Sequence, residues 1–194
     1  MRLQPARGQP AGKPAKTVVR CSALRGTCAV RAIIVPQQKL MSRRQPSSNM
    51  CFVCGVQNPF GLRLAFDDVG AAEVGCTLSI PEHFQGYPGM AHGGVVAAVL
   101  DELCGRTLMV ADPAHFTFTA KLEVRYRSPV PVGVALRGRG WLVRQRGRST
   151  KACAELQLPG GGIAAEAEAL LMDVPADQQL VGAPADLGWF VREA

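Results

Sequence analysis

The sequence predicts an α+β domain in which one long, buried helix is wrapped by a curved antiparallel sheet. Three observations carry that expectation: a single stretch of helical period between residues 94 and 109, six segments of alternating apolar and polar residues around it, and turn residues packed closely between successive segments. A lone helix facing that much sheet is covered only if the sheet curls around it.

The elements follow in order. After the turn Asn58-Pro59-Phe60-Gly61, residues Leu62 to Phe66 alternate apolar and polar, and Glu73 to Ile80 place Val74, Cys76, Leu78 and Ile80 on one face. Asp67-Asp68-Val69-Gly70 between them has hairpin-turn composition, which predicts two antiparallel strands. Residues 85 to 94, Gln-Gly-Tyr-Pro-Gly-Met-Ala-His-Gly-Gly, are too rich in glycine for a regular element and predict a shaped loop. From Gly94 to about Met109, Val95, Val99 and Leu103 recur at four-residue spacing with Val96 and Leu100 beside them, a largely buried helix that Asp112-Pro113 ends. Residues 116 to 127 alternate for twelve positions, with Phe116, Phe118, Ala120, Leu122, Val124 and Tyr126 opposite a polar face that includes Thr119. Val134 to Arg144, Thr150 to Leu158 and Ile163 to Val174 complete the sheet around turns at Arg146-Gly147-Arg148 and Gly160-Gly161-Gly162. A short helical turn near Gln178 to Val181, with Leu187, Trp189 and Phe190 docking back, is expected in the C-terminal extension, residues 175–194.

Charge divides the chain. Residues 1–49 carry ten Lys or Arg and no Asp or Glu, while residues 50–194 carry twelve basic and fifteen acidic residues, a net of −3. The overall charge of +7 therefore resides in the first segment, and the domain, residues 50–174, has no positive excess with which to follow a nucleic-acid backbone. The leader composition predicts disorder and suits either an organellar transit segment or an over-extended start. Seven cysteines, mostly within apolar segments, suit a reducing compartment, so a cytoplasmic protein with no membrane span is expected. Cys51-x-x-Cys54-Gly has the spacing of half a zinc knuckle, but no second such pair follows, and neither metal nor cofactor is expected. His115 has no evident role in the sequence.

A set of motifs then appears in order: Cys51-Phe52-Val53-Cys54-Gly55, Asn58-Pro59-Phe60-Gly61-Leu62, Met90-Ala91-His92-Gly93-Gly94, Leu100-Asp101-Glu102, the run from Thr119 to Pro129, and Ala165-Glu166-Ala167-Glu168-Ala169. On these motifs the chain resembles the hotdog-fold acyl-CoA thioesterases, in particular the phenylacetate-degradation thioesterase-like branch. The resemblance implies a hotdog fold, a homodimer or dimer of dimers, and hydrolysis of an acyl-CoA thioester to the free acid and CoA. It also implies that an acidic helix residue, here Asp101, acts as general base or nucleophile while the amides of Gly93 or Gly94 polarise the carbonyl. Thr119 matches the position where a small hydroxyl residue sits near the reacting water.

These residue types suit the chemistry. A helix N-terminus offers unsatisfied N–H groups, and glycines there let a thioester carbonyl come close. His92 could hydrogen-bond the loop or the carbonyl. Partial burial between Leu100 and Leu103 should raise the Asp101 pKa. Nine helical residues span ~13.5 Å and turn Asp101 to the face opposite His92, so a two-fold dimer is expected to join the Asp101 of one subunit to the loop of the other. Arg125, Arg127, Arg137 and Arg139, with Arg144, are candidates for gripping the CoA phosphates. Glu102 points about 100° away from Asp101 and reads as a dimer-contact or loop-anchoring residue. Two other functions compete on the same fold: a non-catalytic protein that binds an acyl or aryl thioester, and a hydratase, whose Asp/His spacing this chain lacks.

Overall fold

The computed structural model describes residues 43–178, 184–186 and 188–191. The strands are β1 (Asp67–Gly70), β2 (Glu73–Leu78), β3 (Gln85–Tyr87), β4 (Met90–Ala91), β5 (Thr117–Tyr126), β6 (Leu136–Arg146), β7 (Ser149–Gln157) and β8 (Ile163–Asp173), and the helix is α1 (Gly93–Gly105). Six strands form one sheet in the order β1-β2-β6-β7-β8-β5, antiparallel at every pairing. The helix packs on one face of that sheet, as predicted. No helix among the described residues is long and apolar enough to cross a membrane.

Paired residues in neighbouring strands share a face, so the register identifies what the helix meets. One row reads Val74, Gly140, Ala154, Ala167 and Val124, and the next Cys76, Gly138, Leu156, Ala165 and Tyr126. Against them α1 buries Val96, Val99, Leu100, Leu103 and Cys104. The small residues set the distance: a Cβ on Gly140 would lie 2.4 Å from the Leu103 carbonyl oxygen. That close approach requires glycine, because only backbone stands in the way.

Several expectations need correction. Asp67–Gly70 is a strand, not a turn, and the chain reverses at Ala71-Ala72; Leu62 to Phe66 is not a regular strand, with Arg63 at φ 53°, and it bonds to the 52–53 backbone instead of to β2. The reason lies in residues 43–49, assigned above to the leader, which pack on the domain. Arg43 Nε donates to Asp68 Oδ2 and Arg44 Nε to Asp67 Oδ1, both at 2.8 Å, while Gln45 N–H donates to Phe66 O at 2.9 Å. The aspartates that read as turn residues are thus strand residues with arginine partners. Residues 1–42 lie outside the described residues.

The glycine-rich loop contains the small hairpin β3–β4, closed by Gly89 at φ 78°. The helix ends at Gly105, ahead of the predicted Met109, in a run of turns before Asp112. In the C-terminal extension a 3-10 turn covers Ala176–Gln178; residues 179–183 and Leu187 lie outside the described residues. Trp189 does dock back, with its Nε1–H donating to Pro113 O at 2.9 Å and its ring edge-on to Phe116. Phe190 bridges Ser47. His115, without a role in the sequence, meets Asp173 Oδ1 at 2.8 Å.

Candidate active site

The site is built where the glycine-rich segment turns into α1. His92 N–H donates to Phe84 O at 2.9 Å and Ala91 N–H to Val130 O at 2.8 Å, which fixes the approach to the helix. His92 is the N-cap, in extended conformation (φ −62°, ψ 135°), and its Nδ1 accepts the Gly94 N–H at 3.0 Å. The N–H groups of Val95 and Val96 return to the His92 carbonyl at 3.0 and 3.2 Å. Gly93 N–H is therefore the donor at the helix start that this local capping leaves over, and Gly93 is exposed. Its carbonyl accepts the Tyr126 hydroxyl at 2.7 Å.

Two turns along the helix, Thr119 Oγ1 donates to Asp101 Oδ1 at 2.7 Å. Burial raises the Asp101 pKa above the ordinary carboxylate range; the Thr119 hydrogen bond opposes this, and the neighbouring Glu102 charge adds to it. Thr119 was expected on the polar face of its strand, and the structure corrects this. The β5–β8 register shifts between Thr119 and Lys121, so Ala120 is an extra residue in β5 and the alternation flips across it. Thr119 pairs with the buried Leu171 and faces the helix together with Leu122 and Val124, whereas Phe118, expected in the packed face, is 49% exposed.

The predicted residues thus fall into two groups along one helix. His92, Gly93 and Gly94 stand at its start, where Tyr126 of β5 joins them, and Asp101, met by Thr119 of β5, lies eight residues on, ~12 Å along the axis. Tyr126 escaped the sequence reading because it completes an apolar alternation; only its hydroxyl distinguishes it from the core residues before it.

The arginines are not brought to either group. Arg139 pairs across the sheet with Gly75 and Glu155, Glu155 with Glu166, and Glu166 with Arg125, a row on the face away from the helix. Arg137 lies on that face as well, where it lines a shallow cavity with Thr77, Arg139 and Gln157. Arg139 is ion-paired with Glu73 and Arg127 with Glu166. The alternation that made these residues polar also turned them away from Asp101.

Glu102 anchors a loop. Its Oε1 accepts Arg106 Nε at 2.8 Å, and the buried Arg106 guanidinium donates to Pro46 O at 2.9 Å and lies 4.3 Å from the Phe66 ring centroid. The other carboxylate oxygen, Oε2, lies 3.9 Å from Cys51 Sγ. The Cys51 thiol is lowered to about 6, chiefly by a hydrogen bond from Cys54, whose own thiol is raised.

Comparison with known proteins bears on this geometry. A family description, Thioesterase superfamily, matches residues 88–165, which run from before His92 to Ala165 on β8. The acyl-coenzyme A thioesterase THEM4 of Rattus norvegicus is 28% identical over 95 residues, 48% of this chain and 40% of that protein. This chain spans less than half the length of the curated relatives it matches. The crystal structure of a thioesterase superfamily protein superposes with a TM-score of 0.59 at 28% identity, covering 63% of this chain and 60% of that one. A Streptococcus mutans protein, smu.793, crystallised with acetyl CoA, shares the fold with a TM-score of 0.52 at 16% identity, over 57% of this chain and 88% of that one.

Proposed function

Starting from a chain that is a hotdog-fold protein of the thioesterase superfamily, we propose that it hydrolyses an acyl-CoA thioester to the free acid and CoA. The observation that carries the reading is Asp101, a carboxylate on the largely apolar helix α1, held by the Thr119 hydroxyl at 2.7 Å and raised in pKa by burial. In the hydrolysis, Asp101 takes a proton from an attacking water, or attacks the carbonyl itself, and Gly93 N–H donates a hydrogen bond to the carbonyl oxygen as negative charge develops on it. Collapse of the tetrahedral species releases the CoA thiolate, which takes up a proton; the water route leaves the free acid directly, and the nucleophilic route leaves an Asp101 mixed anhydride that a water then hydrolyses to the free acid and the regenerated carboxylate. Thr119 orients the carboxylate and, by donating to it, favours the ionised form that a base requires.

Gly93 and Asp101 of one chain stand too far apart along α1 to meet one carbonyl, so the working site joins Asp101 of one subunit to the helix start of a second. Strand β5 supports this arrangement: it is the last strand of the sheet, with Tyr126 half exposed beside Gly93. The test is free-thiol release from a panel of short, medium, long and aromatic acyl-CoAs, with Asp101→Ala as control. Release from at least one substrate that collapses in Asp101→Ala supports the proposal. Release at the wild-type rate from Asp101→Ala removes the assignment of Asp101, and tight binding without release from any substrate makes the chain a thioester-binding module.

A further inference from the structure

The turn at residues 51–55 holds chemistry that the thioesterase reading does not use. Cys51 Sγ, Cys54 Sγ and a Glu102 carboxylate oxygen all lie within 4.8 Å of one another. A tetrahedral zinc ion with bonds of ~2.3 Å to sulfur and ~2.1 Å to oxygen holds its ligands roughly 3.5–4 Å apart, so the three groups need close only slightly. From this geometry we propose that Cys51, Cys54 and Glu102 bind a thiophilic divalent cation, Zn²⁺ being the best chemical match, which clamps the N-terminal turn to the helix that carries Asp101.

The backbone favours this use of the turn. Gly55 N–H donates to Cys51 O at 2.9 Å, closing the Cys-x-x-Cys turn so that both sulfurs face Glu102, and Val53 N–H points at Cys51 Sγ at 3.3 Å. A Cβ on Gly55 would lie 2.2 Å from Cys51 O, so the closed turn requires glycine there. Amide donors to sulfur and a hydrogen-bonded carboxylate are the outer partners that orient the ligands of a metal. Glu102 has such a partner in Arg106, which occupies Oε1 and leaves Oε2 toward Cys51.

Charge completes the case. Cys54 and Arg106 are each 1% exposed, a setting in which an unbalanced charge is costly. Two thiolates, the Glu102 carboxylate, the Arg106 guanidinium and a divalent cation sum to zero. Three protein ligands leave a tetrahedral ion one further position for water on the Glu102 side, whose side chain is 21% exposed. Only half a knuckle is visible in the Cys51–Cys54 spacing because the third ligand comes from α1, far along the chain.

The test uses the tag-free full chain, reduced, stripped of metal and titrated with Co²⁺ and then Zn²⁺. The expected result is one equivalent of Co²⁺ per chain with a thiolate-to-cobalt charge-transfer band and tetrahedral d–d absorption, both displaced by Zn²⁺. Cys51→Ser and Cys54→Ser should each lose about half of the band or more, and Glu102→Gln should weaken binding by roughly tenfold or more. The double variant Cys21→Ser/Cys28→Ser should titrate like wild type. Absence of the charge-transfer band in the reduced wild-type chain overturns the proposal, as does a band that disappears with Cys21 and Cys28. The wild-type titration decides the matter even if a cysteine variant fails to fold.

Discussion

Replacing Gly93 with proline should delete one hydrogen-bond donor and little else. Gly93 is the first residue of α1, the position where proline is best tolerated because its N–H is not needed by the helix. The preceding His92 already has the extended backbone, φ −62° and ψ 135°, that a residue before proline adopts. A Cβ at Gly93 would stand 3.5 Å from the Tyr126 hydroxyl, an ordinary contact. Stability should therefore hold or rise by about 0.4–1 kcal/mol through a less free unfolded chain. Removing one oxyanion donor costs about 2.7–4 kcal/mol of transition-state stabilisation, so kcat for thiol release should fall by ~10²–10³. Gly93→Ala, which keeps the N–H, should stay close to wild type. A folded Gly93→Pro protein within about threefold of wild-type kcat would refute the role of this amide, and equal losses in the alanine and proline variants would assign the effect to bulk.

Three further outcomes follow from the same geometry. Thr119→Val breaks the 2.7 Å bond to Asp101; with Thr119 exposed, the loss falls in the lower part of the charged hydrogen-bond range, ~1–2 kcal/mol, and kcat/KM should drop about 5- to 30-fold with the acid limb of the pH profile moved upward, while Thr119→Ser restores both. Asp101→Asn should lower kcat by ~10²–10⁴ yet raise the melting temperature at neutral pH. Because burial raises the folded-state pKa of Asp101, its stabilising contribution is complete below the ordinary carboxylate pKa and is lost as pH rises through the folded value, so melts from about pH 3 to pH 8 should show the variant's advantage appear only on the alkaline side. Gly140→Ala drives a Cβ into the Leu103 backbone at 2.4 Å and should cost about 3 kcal/mol or more, read as a lower urea midpoint.

Much of the fold was legible because burial imposes its period on the sequence. Val74, Cys76 and Leu78 alternate where β2 faces the helix, and Val99 and Leu103 recur where α1 faces the sheet. What escaped depended on partners distant in sequence. Asp67 and Asp68 read as a turn until Arg44 and Arg43 supplied their counter-charges. The bulge at Ala120 left no trace in an unbroken alternation of residues 116–127, so Thr119 was assigned to the wrong face although its pairing with the site was anticipated. The face on which the arginines lie was hidden for a related reason: composition marks them as polar, but only register reveals which face of a sheet a side chain occupies. The placing of His92 and Gly93 at the helix start and of Asp101 along it was legible because helix-start chemistry is local and a carboxylate between Leu100 and Leu103 is conspicuous.

The most direct test of a site shared between two subunits mixes two inactive variants, Asp101→Asn and Gly93→Pro, unfolding them together in equal amounts and refolding them. Neither homodimer has an intact site. If Asp101 of one subunit serves the Gly93 amide of the other, half of the dimers are mixed and each regains one of its two sites, so thiol release should return to about one quarter of the wild-type rate. If each chain forms its own site, every site in the mixture carries one defect, and a rate no higher than that of the separate variants would contradict the account.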